Sequence, residues 1–234
     1  MIVNTRPSIL ANKTNELLAR SGIEFIHEPL TKILSISPSN QALEKLQQLD
    51  SYDVIIFTSQ TAAKFGAPYL QKHTSKNLNL LIMAIGLATQ RILSEHGLVS
   101  EVPSGFNSAG LAELIEQGKH QKCLIFCGGK KPQLSFHTPI TLDTFSCYKV
   151  IDEESVELSN ITGNRKAIFL IYNIQTLEVL MRYSQAADLE KMNLIVASPR
   201  IQETALLYGI KGCLVAESPH DQDMTEAAIE LARS

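Results

Sequence analysis

One pattern constrains this chain more than any other: an apolar strand that breaks at a small polar pair and restarts as a helix. It is clearest at residues 53–65, DVIIFTSQTAAKF. Val54, Ile55, Ile56 and Phe57 form a short apolar run rich in β-branched residues, the signature of a buried strand. Thr58 and Ser59 end that run, and either hydroxyl can cap the helix that Gln60 begins. The same plan recurs in LIMAIGLATQRIL, CLIFCGGKKPQL, AIFLIYNIQTLEVL and LIVASPRIQETALLYG. Strands alternating with helices at this spacing predict an α/β fold of parallel sheets covered on both faces. Each junction also puts hydroxyls and unpaired helix N–H groups at the carboxyl edge of a sheet, where open α/β folds bind ligands.

In order, the chain opens with a strand over 1–5, stopped by Arg6-Pro7, then a helix over 9–21 ended by Gly22. A second strand over 24–33 is bent at Pro29. Residues 35–40, SISPSN, form a small polar linker, and Asn40 is placed to cap a helix over 41–49. Strands over 54–57, 78–85, 98–102, 123–126 and 144–151 follow, with helices over 87–96 and 109–117; Ser108 is placed to cap the latter. Beyond the acidic run Asp152-Glu153-Glu154, strands over 166–171, 193–197 and 211–216 alternate with helices over 175–183, 200–208 and 225–232. About ten strands are many for one sheet. The two linkers therefore predict two smaller α/β domains.

A 234-residue chain with 44% hydrophobic and 19% charged residues can bury a large core. Its net charge of −3 and pI of 6.1, with no Lys/Arg block, argue against binding to nucleic acid or an anionic membrane. No segment reaches the ~20 apolar residues of a membrane span. The start, MIVNTRP, lacks a signal-peptide pattern, so a cytoplasmic location is expected. Cys123, Cys127, Cys147 and Cys213 make no CxxC pair and read as buried thiols of a reducing compartment. Cys123 and Cys127, four apart in a strand, should share a face. The six histidines contain no i, i+4 pair, and no metal site is expected. Asp221 and Asp223 read as acidic residues ahead of a helix, where its dipole favours them.

Gly128-Gly129-Lys130-Lys131 invites a phosphate-loop reading but lacks the GxxxxGK[ST] spacing, and Pro132 removes one N–H. A carboxylate-binding turn and a plain turn both remain open there. No GxGxxG follows the first strand. Tyr148, just before the second linker, is either an aromatic packed on a strand or a group poised at a domain junction.

The ordered motifs Thr5-Arg6-Pro7, Glu28-Pro29-Leu30, Phe57-Thr58-Ser59, Ala84-Ile85-Gly86 and Ala88-Thr89 continue through Tyr148-Lys149-Val150, Ser198-Pro199-Arg200 and Ala216-Glu217-Ser218-Pro219. Together they resemble the uroporphyrinogen-III synthase family along essentially the whole chain. The resemblance implies two flavodoxin-like parallel-sheet domains joined by a two-stranded linker. The first, discontinuous domain would be residues 1–34 plus 152–234 and the second 38–147, with 35–37 and 148–151 between them. It implies a cofactor-free, metal-free lyase of haem biosynthesis. Such an enzyme closes hydroxymethylbilane to uroporphyrinogen III with loss of water and inversion of the last pyrrole ring. A monomer that takes its substrate by transient hand-over from the upstream bilane-forming enzyme is implied as well. The alternative is a non-catalytic two-domain binder of a tetrapyrrole or another small polyanion.

The same resemblance implies that Tyr148 assists the departing hydroxyl as a proton donor, being protonated at neutral pH with an ordinary pKa near ~10. Thr58, Ser59, Gly86, Thr89, Ser108 and Ser198 would contact substrate, with Arg6 and Lys130 as cationic contacts. Helix N-termini and hydroxyls reconcile an acidic protein with a polyanionic substrate, because they bind carboxylates without net positive charge. The fourth junction departs from the family: it reads Tyr172-Asn173-Ile174 where many members carry Thr-Ser or Ser-Pro-Ser.

Overall fold

The computed structural model describes residues 1–74, 80–105, 107–129, 134–154, 156 and 165–234. Within them run ten strands: β1 (Ile2–Asn4), β2 (Phe25–His27), β3 (Thr31–Ser35), β4 (Val54–Phe57), β5 (Leu81–Ala84), β6 (Lys122–Gly128), β7 (Thr141–Asp152), β8 (Ala167–Ile171), β9 (Met192–Val196) and β10 (Gly212–Val215). Between them lie the helices α1 (Asn12–Ser21), α2 (Asn40–Gln47), α3 (Gln60–His73), α4 (Leu87–Glu95), α5 (Ser108–Gln117), α6 (Ile174–Tyr183), α7 (Ala186–Leu189), α8 (Pro199–Leu207) and α9 (Asp221–Arg233). The chain divides into two compact units, Met1–Ile33 with Ile151–Ser234, and Leu34–Val150.

The first unit holds a sheet in the order β2-β1-β8-β9-β10, every neighbouring pair parallel. Counted along the chain within that unit this is 2-1-3-4-5, the flavodoxin-like order, with its switch point between β1 and β8. The second sheet runs β5-β4-β6-β7-β3, and its first four strands are parallel. Its switch point lies between β4 and β6. The boundary between the units falls inside β3 and inside β7.

Both sheets are buried on both faces, and the period-two alternation of a strand sorts the apolar residues. In the first unit Val3, Phe169, Ile171, Leu194 and Val196 pack with α6 and α8, while Ile2, Ile168, Leu170 and Ile195 pack with Leu18 of α1 and Met224 and Ala228 of α9. In the second, Ile55, Phe57, Leu124 and Phe126 face Ala62, Ala63, Ala67 and Leu70 of α3, while Val54, Ile56, Cys123, Ile125 and Cys127 face Leu111 and Ile115 of α5. Cys123 and Cys127 thus share a face. Phe57 stacks on Phe126 with ring centroids 4.5 Å apart, and Phe126 meets Phe145 at 4.7 Å. Each such ring removed from water stabilises the unit by about 1.5–3 kcal/mol.

Several local expectations give way to backbone chemistry. The helix expected over 9–21 is a short 3-10 turn at Ser8–Leu10 followed by α1, which Gly22 ends in the left-handed region at φ 72°. The strand expected over 24–33 breaks into β2 and β3, because Pro29 has no N–H for the ladder; Glu28 and Leu30 donate to Asn4 and Thr5 on either side of it. Residues 98–102 contribute only a bridge between Met83 and Glu101. Ser39, not Asn40, caps α2 by accepting from the Ala42 N–H, since it is the residue with extended backbone before the first turn. For the same reason Asn107, not Ser108, caps α5, accepting from the Gly110 N–H at 2.9 Å.

Candidate functional site

In the Leu34–Val150 unit, β4 ends at the switch point of its sheet. There the two hydroxyls of the opening motif divide their work. Thr58 Oγ1 donates to the carbonyl of Phe126 on the neighbouring strand at 3.4 Å. Ser59, in extended conformation, caps the 14-residue helix α3 by accepting from the Ala62 N–H at 3.0 Å. Ser59 Oγ also lies 3.3 Å from the phenol oxygen of Tyr148, 89 residues away. Phe65, one and a half turns into α3, stacks against the Tyr148 ring at 6.3 Å. Tyr148 is half-buried, and burial pushes its pKa up; the bond from Ser59 opposes this and the neighbouring thiols of Cys147 and Cys127 add to it. A protonated phenol therefore stands at a helix N-terminus.

The other expected contacts in this unit sit at neighbouring junctions. Gly86 precedes the first turn of α4 and its carbonyl accepts from the N–H groups of Thr89 and Gln90. Thr89 is buried at 3% exposure, so this junction presents backbone rather than the threonine hydroxyl. Ser108 is exposed at the start of α5 and lines a cavity of about 900 Å³ with Asn107, Glu113, Glu116 and His137. Glu116 is held ionised by the N–H of Thr138, the His137 side chain and the His137 N–H. A wall with Glu113 and an ionised Glu116 repels carboxylates, so that cavity suits a polyanion less well than the Ser59 junction. Lys130, with Lys131 and Pro132, lies outside the described residues.

In the other unit, Arg6 follows β1 and Tyr172 follows β8, on the two sides of the switch point. The Arg6 guanidinium lies over the Tyr172 ring at 4.1 Å and is ion-paired with Asp221, the first residue of α9. Asp221 Oδ1 also accepts from Thr14 at 2.9 Å and Tyr172 at 3.3 Å. Burial lowers the Arg6 pKa while the tyrosine raises it, and the group remains a cation already balanced by an internal carboxylate. In the sequence Asp221 stands out only as a residue that a helix dipole favours, and no local signal pairs it with Arg6. Asp221 and Asp223 stand inside the first turn of α9 rather than ahead of it, and Asp223 accepts from Ser218. Ser198 is half-buried before α8, where Pro199 takes the first helical position and the serine side chain makes no capping bond. Asn173, in the junction that departs from the family, still caps α6, accepting from Thr176 N–H at 2.9 Å. Among the described residues no group of three or more His, Cys, Asp or Glu is placed to hold a metal. No described helix is long and apolar enough to cross a membrane.

Comparison with known proteins agrees with this architecture. Two solved structures match nearly end to end. One is the uroporphyrinogen-III synthetase of Helicobacter pylori, with a TM-score of 0.66 and 14% identity over 98% of both chains. The other is a mutant uroporphyrinogen III synthase of the extremely thermophilic bacterium Thermus thermophilus, with a TM-score of 0.62 and 16% identity over 100% of this chain and 99% of that one. At such identities they speak for the fold. A curated Methanothermobacter thermautotrophicus protein named "Putative uroporphyrinogen-III synthase" is 29% identical over 113 residues, 47% of this chain and 44% of that protein. The match thus spans less than half of that relative. The family model described as uroporphyrinogen-III synthase HemD matches residues 12–226. The chain belongs to the uroporphyrinogen-III synthase family.

Proposed function

We propose that this protein closes hydroxymethylbilane to uroporphyrinogen III, with loss of water and inversion of the last pyrrole ring. The observation that carries the reading is the Ser59–Tyr148 pair at the β4/β6 switch point. Ring closure begins as the terminal pyrrole nitrogen pushes electrons toward the hydroxymethyl carbon and the C–O bond breaks. The oxygen leaves as water if a proton reaches it in the same step. Tyr148, kept protonated by burial, supplies that proton, and Ser59 donates to the phenolate that remains. General acid help of this kind contributes about 10²–10⁴-fold.

Substrate carboxylates are held at the N-termini of α3 and α4 by the backbone beside Thr58, Ser59, Gly86 and Thr89, with Ser198 and Lys130 as further contacts; Ser108 contributes least, because Glu113 and Glu116 share its cavity. The helix dipole and free N–H groups at each terminus favour an anion even on a protein of net charge −3. Arg6 serves this binding less directly, because Asp221 already balances its charge. Four buried thiols support action in the reducing cytoplasm, and the protein works there as a monomer without cofactor.

The deciding experiment is incubation with freshly made hydroxymethylbilane and resolution of the product isomers. Isomer III is expected. Isomer I alone, the uncatalysed product, overturns the reading, and tight binding of a linear tetrapyrrole without turnover would replace it with a binding protein.

A further inference from the structure

Strand β7 does not keep its alternation. From Lys122 opposite Thr141 to Cys127 opposite Ser146, β6 and β7 pair one to one; the register then slips, so that Gly128 lies opposite Tyr148 and Cys147 is passed over. Strict alternation would send Tyr148 to the face opposite Phe145 and Cys147. Instead all three pack in the cluster on the α3 side. The extra residue is a bulge, and a bulge re-aims the side chain that follows it. Here it turns the phenol toward Ser59.

Gly128 is the second half of this device. A Cβ placed there would stand 2.8 Å from Cε2, 2.9 Å from Cζ and 3.2 Å from the oxygen of Tyr148. The same construction at Gly129 meets nothing within 4 Å. The demand at Gly128 is for space, and what fills that space is the tyrosine ring, with Phe65 and Ser59 as its other neighbours.

We infer that Gly128, with the register slip beside it, is a positioning residue that holds the Tyr148 hydroxyl against Ser59 at the head of α3. This rests on the assignment of Tyr148 to the departing hydroxyl. A ring pushed aside by an added methyl group keeps its packing but loses its aim, and a displacement near 1 Å costs up to about 10²-fold in rate.

The test is a kinetic cycle on the full chain. Gly128→Ala is expected to lower kcat at least tenfold with KM within about threefold, and Gly129→Ala to leave both unchanged. In a Tyr148→Phe background, Gly128→Ala should cost nothing further, because there is no hydroxyl left to misplace. Equal losses in both backgrounds, a loss carried by KM alone, or no loss at all overturn the inference. A readout independent of turnover comes from protein labelled with fluorotyrosine, in which the Tyr148 fluorine resonance is the one missing from Tyr148→Phe. Gly128→Ala should move that resonance and Gly129→Ala should not; an unmoved resonance overturns the positioning role. Full activity in Tyr148→Phe alone removes the proton-donor assignment, and the resonance then decides the positioning.

Discussion

The guanidinium of Arg6 lies 4.1 Å above the ring of Tyr172 and is ion-paired to Asp221, 215 positions along the chain. Arg6 follows the first strand, Tyr172 the third strand of the same sheet and Asp221 opens the last helix, so the cluster ties the two ends of the chain across one switch point. Side-chain exposures of 16% and 24% keep the pair largely out of water.

Removing the carboxylate should therefore hurt more than removing a surface ion pair. Asp221→Ala leaves a mostly buried cation without its carboxylate, and the hydroxyls of Thr14 and Tyr172 with only each other, 3.4 Å apart. A loss of about 1–3 kcal/mol is expected, against the 0–1 kcal/mol of an exposed pair. Urea unfolding at pH 7 measures it; a change below about 0.5 kcal/mol would contradict the role given to Asp221.

Gly66 sets two effects against each other. Alanine there gains about 1 kcal/mol of helix propensity. Its Cβ, however, would stand 2.4 Å from Cδ1 of Phe126 and 3.1 Å from Cε1 of Phe57, both rings fully buried. Overpacking a tight core costs about 1–3 kcal/mol, so Gly66→Ala should be net destabilising. A raised melting temperature would show that α3 can shift outward.

The caps separate two adjacent residues. Asn107→Ala removes the side-chain acceptor of α5 and should cost about 1 kcal/mol, whereas Ser108→Ala should be neutral for stability. Paired denaturation curves of the two variants decide the matter, and the reverse order would restore the serine as the cap.

Burial pushes the Cys123 and Cys213 thiols up to about 11 and Cys147 to about 12, with Cys127 also raised. An unfolded thiol ionises near ~8.5. Between those values the unfolded chain holds fewer protons than the folded one, so stability falls as pH rises. The contribution is full below the unfolded pKa and is lost as pH climbs through 11–12. The urea midpoint should decline between pH 8 and pH 10.5, and a disulfide reagent at pH 8 should label the native thiols far more slowly than the four of the denatured chain. Rapid labelling of the native protein would contradict this burial.

The α/β class and the places where strands hand over to helices are legible in local sequence, because both depend on the spacing of apolar residues and on capping chemistry within a few positions. The Thr58-Ser59 junction is legible for that reason. Tyr172-Asn173 keeps its capping role despite its altered letters, since asparagine offers the acceptor that a serine would. Cap positions differ by one residue from the local expectation, Ser39 for Asn40 and Asn107 for Ser108, because the choice is made by which backbone stays extended before the first turn.

Short-range periodicity is enough to mark most of the strands and helices and the hydroxyl-bearing junctions, but not the break of 24–33 into β2 and β3 or the reduction of 98–102 to a single bridge. Which junctions carry partners is set by long-range contacts: Asp221 against Arg6, and Tyr148 against Ser59 with Gly128 behind it. The two bonded pairs lie 89 and 215 residues apart along the chain. They hang on sheet order and on one slipped register. A slip of a single residue sends a side chain to the opposite face of a strand, and no pattern of apolar residues along one segment records which neighbour it will meet there.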